Sequence, residues 1–254
     1  MPHYLSGIIL NQGDRIMIDK MVGKTEVALY GLAYSIGMLV QLFISGMNSA
    51  LTPWMYSKIK KGDIRSMRKV LQLLSVVVVG IAVALMLISP ELVLIFGSPK
   101  YREAVYVIPP VAASVFFIFI YNILSMPQFY YEKTQFLMAA SMAAAGANVV
   151  LNFIFIRLFG YIAAGYTTLA CYMLYSVGHY IVSKQILVNE GIQENLMNPG
   201  FLLACSVFLI GASIICNLIF PYRILRYAIL LASAGLVFWK KELLLKTMAD
   251  IRKK

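Results

Sequence analysis

Long apolar segments follow one another along almost the whole chain, and each is close to the length that crosses a lipid bilayer. A helix needs about 20 predominantly apolar residues to span the hydrocarbon core. The segments cover residues 2–21, 27–55, 70–96, 104–130, 136–159, 162–187, 201–220 and 224–239. Their connections are short, and no alternation of apolar and polar residues suggests a strand. The sequence therefore predicts an all-α integral membrane protein with about eight transmembrane helices.

The composition fits a protein whose main solvent is lipid. Of the 254 residues 61% are hydrophobic and only 13% are charged, and the mean hydropathy is +0.79. A net charge of +11 would suggest nucleic acid as the partner of a soluble protein, but here the bases cluster at segment ends, as expected next to anionic membrane lipids. We therefore expect membrane lipids, and no nucleic acid, as partners. The three cysteines lie in apolar runs without metal-ligand spacing, so no metal, cofactor or disulfide is predicted.

The positions of lysine and arginine predict the orientation in the membrane. Basic clusters occupy residues 58–69 and the tail from residue 240 onward, and an even number of predicted crossings separates them. Basic connections stay in the cytoplasm. This topology gives the inner side about twice as many bases as the outer side. We expect a multi-pass protein of the bacterial inner membrane with both termini in the cytoplasm. The first segment begins with Met-Pro-His and has no basic leader, so we expect it to be a helix of the mature protein and not a signal peptide.

A polar stretch at residues 11–15 interrupts the first apolar segment. Asn11, Asp14 and Arg15 lie at membrane depth, where ionisable groups are rare and mark functional sites by default. Asp14 and Arg15 are adjacent in sequence, so in a helix they project about 100° apart and each needs its own partner. These three residues are our first substrate-binding candidates. The alternative is a structural polar clamp between helices.

Further polar residues recur at helical spacing on later segments. On the second segment these residues are Gln41, Ser45, Asn48 and Thr52, which share one face of the predicted helix. Pro53 follows them and is expected to kink the end of this segment. On the fourth segment they are Ser114, Tyr121, Ser125 and Gln128. Stripes of this kind either line a hydrated cavity or hold helices together. We take Gln41, Ser45, Asn48, Tyr121 and Gln128 as further substrate-binding candidates.

Two more stripes fall on the fifth and sixth segments. Asn148 and Asn152 follow small residues at helical spacing, which is typical of close helix packing. The sixth segment carries Thr168, Tyr172, Ser176 and His179, and we expect His179 to be an interfacial residue. The last two segments carry few polar residues and are predicted to be lipid-facing supports.

No motif indicates enzyme chemistry. The sequence has no nucleophile elbow, phosphate loop or His-Glu metal motif, and its acids are scattered at segment ends. Thinly spread polar groups on apolar helices are more typical of a transporter, which binds substrate between helices near the midplane. We therefore predict a transport protein and not an enzyme.

Several short runs resemble the second half of bacterial polysaccharide flippases. They are residues 2–7, 14–18, 27–34, 52–54, 133–134, 148–152 and 160–165. The superfamily also contains the multidrug and toxic compound extruders and the lipid II flippase. The resemblance implies a V-shaped transporter of two six-helix lobes that moves an oligosaccharide, carried on a polyprenyl diphosphate, across the cytoplasmic membrane. In that setting Arg15 would bind the diphosphate, while amides, hydroxyls and tyrosines would bind sugar hydroxyls.

The resemblance also implies a division of the chain. Residues 1–189 look like the six-helix second lobe of such a transporter, and residues 190–254 add two trailing helices and a basic tail. The first lobe has no counterpart in this sequence, so we expect a fragment or truncated product that works with a separate first lobe or a glycan polymerase. A cation-coupled multidrug exporter of the same superfamily is the alternative function. A non-transporting partner protein, whose stripes only join helices, is a third reading.

Overall fold

The computed structural model describes the backbone of residues 2–239 and the side chains of residues 12–233 and 235. Every element in this part of the chain is helical, which confirms the predicted all-α class. The helices are α1 Pro2–Met21, α2 Lys24–Gly37, α3 Leu39–Lys60, α4 Ile64–Phe96, a 3-10 helix Pro99–Tyr106, α5 Ile108–Tyr130, α6 Gln135–Phe159, α7 Ile162–Asn189, α8 Pro199–Ile219 and α9 Arg223–Trp239. The basic tail from residue 240 onward lies outside the described residues.

Five helical stretches among the described residues are long and apolar enough to cross a membrane. The first stretch consists of α2 and α3 together, and the other four are α4, α5, α6 and α8. The predicted count of eight crossings is thus not confirmed, although the multi-pass membrane character is. Helix α7 is 28 residues long, but its polar residues lower its hydropathy.

The second predicted segment is two helices that meet at Met38. Gly37 ends α2 where the chain passes directly over α5, and a Cβ built on Gly37 would lie 2.6 Å from Val111 Cγ1. Only glycine permits this close approach. Helix α3 then continues through Pro53. The interruption therefore depends on packing between α2 and α5, which the sequence of the segment does not reveal.

Helix α5 forms the centre of the bundle. It packs against α7 and α4 most extensively and also against α3, α2 and α8. Its side chains from Ile108 to Ile120 are all buried, including the rings of Phe116 and Phe119. Burial on all sides explains why this segment is apolar around its whole circumference. The surrounding helices are arranged about it, with α1 against α6 and α6 against α7 on one side.

The turns form where the sequence predicts breaks. Between α3 and α4, Gly62 adopts a φ of 67°, and the Asp63 carboxylate caps α4 by accepting from the Ser66 backbone N–H at 3.3 Å. Lys58 Nζ lies 2.5 Å from the same carboxylate. At the start of α8, Asn198 Oδ1 accepts from the Gly200 N–H at 2.8 Å. These caps satisfy helix N–H groups that would otherwise have no partner.

Of the trailing helices, α8 packs against α4 and α5, and α9 packs against α4 and α8. A buried ion pair fixes α9, because the Arg226 guanidinium binds both Glu91 carboxylate oxygens at 2.8 Å. Arg226 Nη1 also donates to the Leu87 carbonyl at 2.6 Å, and the Tyr227 hydroxyl donates to Glu91 Oε1 at 3.0 Å. The trailing helices are therefore attached to the bundle by charge as well as by apolar contact.

Candidate functional site

The Asp14 carboxylate lies in the interior of the bundle and is 0% exposed. Its Oδ2 accepts from the Tyr30 hydroxyl at 2.5 Å and from Thr168 Oγ1 at 2.8 Å. Its Oδ1 accepts from Asn152 Nδ2 at 2.5 Å. The three donors stand on α2, α7 and α6, so one carboxylate joins four helices. A buried charge requires such donors, since an unsatisfied one costs several kcal/mol.

A second layer of polar groups supports the donors of Asp14. Asn152 Nδ2 also contacts Asn148 Oδ1 at 3.1 Å, and the Thr167 hydroxyl donates to Asn152 Oδ1. Both asparagines are 0% exposed, so the amide ridge packs inside the bundle, as its spacing predicts. The sequence did not indicate that one of these amides serves Asp14. We call Asp14, Tyr30, Asn152, Thr167 and Thr168 the buried network.

Arg15 lies beside Asp14 in sequence but points elsewhere. Its guanidinium carbon is 5.5 Å from the centroid of the Tyr34 ring, and Nη1 donates to Gln12 Oε1 at 3.2 Å. Its buried Nε has no hydrogen-bond partner, and no ion pair within the described part of the chain involves Arg15. The expectation that Asp14 and Arg15 have separate partners is confirmed. Arg15 therefore offers a positive charge, partly exposed, that no acid of the described residues neutralises.

The polar stripe of α3 lies on an exposed or half-exposed side of that helix, with Ser49 as a further exposed member. Its hydroxyls fold back onto the helix: Ser45 donates to the Gln41 carbonyl at 2.9 Å, and Thr52 to the Asn48 carbonyl at 2.8 Å. The amide groups of Gln41 and Asn48 have no hydrogen-bond partner among the described residues. These two amides are thus free to bind another molecule.

Tyr121 of α5 is half-buried. Its ring lies 4.6 Å from that of Tyr175 and 5.8 Å from that of His179, both on α7. We use the name polar face for the five candidates that are exposed or half-exposed, which are Arg15, Gln41, Ser45, Asn48 and Tyr121. They stand on α1, α3 and α5, and α2 packs against each of these helices. The side chain of the remaining candidate, Asn11, lies outside the described side chains.

Gln128 is not on the polar face. It is 0% exposed, and its Nε2 lies 2.7 Å from His179 Nδ1 between α5 and α7. The expectation that His179 is an interfacial residue is wrong, because its ring is 1% exposed and packs 4.5 Å from the Tyr175 ring. The eight substrate-binding candidates therefore divide into five on the polar face, two in the interior (Asp14 and Gln128) and Asn11.

A metal centre has no support in the described residues, where no group of three or more His, Cys, Asp or Glu side chains could hold an ion. A bundle of long apolar helices around a buried carboxylate defines a multi-pass integral membrane protein. Comparison with known families gives the particular family. The MatE family matches residues 5–154, more than half of the chain, so the chain belongs to the MatE family. Members of this family are membrane transporters and not enzymes.

Two curated relatives come from Haemophilus influenzae. One is described as an uncharacterized membrane protein and is 31% identical over 134 residues, which cover 50% of this chain and 32% of the relative. The other, protein 1 of the Lsg locus, is 28% identical over 148 residues, covering 55% of this chain and 35% of the relative. The match thus spans about a third of the length of these relatives. No solved structure gave a significant match to the chain.

Proposed function

We propose that this chain forms one helical lobe of a flippase that moves a polyprenyl-diphosphate-linked oligosaccharide across the bacterial cytoplasmic membrane. The observation that carries the proposal is Arg15, a half-exposed base on α1 without an acidic partner in the described residues. An uncompensated charge in a membrane helix is retained where a substrate or a water-filled cavity meets it. A diphosphate suits it, because a guanidinium binds phosphate oxygens through two parallel hydrogen bonds.

The rest of the polar face suits the carried glycan. Gln41 and Asn48 present amides without hydrogen-bond partners in the described part of the chain, and each amide can both donate to and accept from a sugar hydroxyl. Tyr121 adds an amphipathic ring to the same set. In this arrangement Arg15 holds the headgroup while α3 and α5 contact the sugars.

Asp14 has a positioning role in this proposal. Its three hydrogen bonds fix the rotation of α1 about its own axis, and that rotation determines where Arg15 points. Gln128 does the same for α5 and α7 through His179. The two interior candidates thus act on the substrate through the helices that carry the polar face.

An exporter of organic cations would require an acid on the polar face. Near Arg15, Asp14 is 0% exposed and accepts hydrogen bonds from three side chains, and the exposed Asp19 makes no ion pair with Arg15 among the described residues. The half-exposed guanidinium of Arg15 thus keeps its positive charge. The electrostatics of the polar face therefore favour an anionic substrate over a cationic one. The coupled multidrug exporter remains the second candidate, which the experiment must separate from the first.

The test is made in the native host. The gene is deleted and re-expressed as wild type, Arg15→Ala or Arg15→Lys, and surface polysaccharide and lipid-linked oligosaccharide in the inner leaflet are measured. Charge-assisted hydrogen bonds contribute roughly 1.5–3 kcal/mol, so Arg15→Ala should lower export about tenfold or more, with partial rescue by Arg15→Lys. The matched control is Arg157→Ala, an exposed base that stacks on Phe153 of α6.

Two results would contradict the proposal. If Arg15→Ala exports as well as wild type at equal abundance, the arginine does not bind the headgroup. If deletion leaves polysaccharide unchanged but sensitises the cells to cationic drugs, the exporter is the correct function.

A further inference from the structure

An apolar cleft of about 290 Å³ lies between α5, α7 and α8, away from the polar face and the buried network. Helix α8 packs mainly on α4 and α5, which leaves a gap between it and α7. The floor is formed by Phe116, Phe117 and Ile120, and Leu202 and Leu203 of α8 form part of one wall.

Apart from the Tyr180 hydroxyl at one end, the side chains of the cleft wall offer no free hydrogen-bonding group for a polar ligand. Its two serines are satisfied by backbone carbonyls, Ser176 by the Phe117 carbonyl at 2.9 Å and Ser206 by the Leu202 carbonyl at 2.8 Å. A slot with this lining, on the outside of a membrane helix bundle, matches a hydrocarbon chain.

One end of the cleft is basic. Tyr180 of α7 closes the cleft there, and Lys184, one turn further along α7, continues the same helix face and is exposed. Arg68 of α4 lies at the same end, because its Nε donates at 2.7 Å to the carbonyl of Asn195, four residues before Pro199 of the cleft wall.

The acids of the linker offset only part of this charge. Glu194 is exposed beside Asn195. The pKa of Tyr131 is raised by burial and, second, by the negative charge of Glu190. This end of the bundle also carries the basic connection at residues 58–69. Basic pockets between helices on the cytoplasmic side are typical sites for anionic lipid headgroups.

We propose that the cleft binds an anionic phospholipid of the cytoplasmic leaflet. One acyl chain lies between α7 and α8, and the headgroup phosphate lies between Lys184 and Arg68. The occupant is a resident phospholipid and not the transported polyprenyl lipid, because the cleft shares no lining residue with the polar face that is proposed to bind the transported headgroup. The lipid would fill the gap and thereby complete the attachment of α8.

The experiment is native mass spectrometry of the purified 254-residue chain in detergent. Dioleoyl phosphatidylglycerol and dioleoyl phosphatidylcholine are added separately, and retained lipid is counted. Wild type should retain one phosphatidylglycerol and little phosphatidylcholine. Lys184→Gln should weaken phosphatidylglycerol binding about fivefold, because one base near the surface contributes about 1 kcal/mol.

A cleft-filling substitution tests the acyl-chain half of the proposal. Ser206→Phe places a ring in the cleft and should abolish retention of the lipid. Val207→Phe is the control and should retain the lipid, because Val207 is 62% exposed and does not line the cleft. If Ser206→Phe does not purify, Val177→Phe closes the cleft from α7 instead. Unchanged retention in the cleft-filled variant would overturn the site. Equal retention of both lipids, unaffected by Lys184→Gln, would overturn the anionic headgroup.

Discussion

The Tyr30 hydroxyl donates a hydrogen bond of 2.5 Å to Asp14, and both residues are almost completely buried. Tyr30→Phe removes this donor while keeping the ring, and the carboxylate is left with an unsatisfied lone pair. We expect a loss of about 1–3 kcal/mol in the free energy of unfolding, seen as a lower melting temperature in detergent. Tyr56→Phe is the control, because the Tyr56 hydroxyl has no hydrogen bond within the described residues. Equal melting of the two variants would contradict the network.

The sequence predicted part of this arrangement. Asp14 stands out as an acid at membrane depth, and its separation from Arg15 follows from helix geometry. The partners do not follow, because Asn152 and Thr168 are 138 and 154 residues away, and no local pattern encodes such pairs. The same holds for Gln128 and His179, which are 51 residues apart. Helical spacing locates a polar stripe, but whether it faces a neighbour or the outside depends on the packing of the whole bundle.

The positions of the helices along the chain were predicted more accurately than the number of membrane crossings. The gaps between the predicted apolar segments at residues 56–69, 160–161 and 188–200 contain turns in the structure. Apolar length does not reveal the interruption at Met38, which depends on contact between Gly37 and Val111. Nor does the sequence reveal that Arg226, near the start of the last predicted segment, is buried against Glu91.

The close approach of α2 and α5 at Gly37 can be tested directly. Gly37→Ala places a methyl group 2.6 Å from Val111 Cγ1, which forces the helices apart. We expect a loss of about 1–3 kcal/mol of stability in thermal unfolding. Gly46→Ala on α3 is the matched control, because a Cβ there meets nothing within 4 Å and alanine favours a helix. Gly46→Ala should match or exceed wild type. A normal melting temperature for Gly37→Ala would show that α2 does not pack this closely.

The ion pair between α4 and α9 predicts how the trailing helices detach. Arg226→Ala leaves Glu91 without its partner, and breaking a largely buried pair costs about 3 kcal/mol or somewhat less, since Glu91 is 26% exposed. We expect limited proteolysis to release a C-terminal fragment sooner than from wild type. Arg223→Ala, an exposed arginine of the same helix, should behave like wild type. Identical cleavage of the two variants would mean that apolar contact alone holds α9.

Membrane orientation is tested by cysteine labelling. Lys60 ends α3 and Lys100 follows α4, a helix of 33 residues that spans about 50 Å, so the two positions lie at opposite ends of the bundle. Cys171, Cys205 and Cys216 are first replaced, and single cysteines are then placed at Lys60 or Lys100. A membrane-impermeant thiol reagent applied to intact cells should label position 100 and spare position 60. Labelling of position 60 would invert the predicted topology.

The polar face predicts that residues 1–254 do not export a lipid-linked glycan on their own. Alternating access requires one bundle to move against another around a shared site. Arg15 and the free amides of α3 meet no such bundle among the described residues. Facing lipid, a charge of this kind costs at least about 2.5 kcal/mol on insertion scales.

The chain is expressed in cells that lack their own flippase, with or without a separate polypeptide carrying the remaining part of a curated relative. Surface polysaccharide should appear only on co-expression, and Arg15→Ala should abolish it. Export by the chain alone, purified as a monomer, would show that the polar face needs no second bundle.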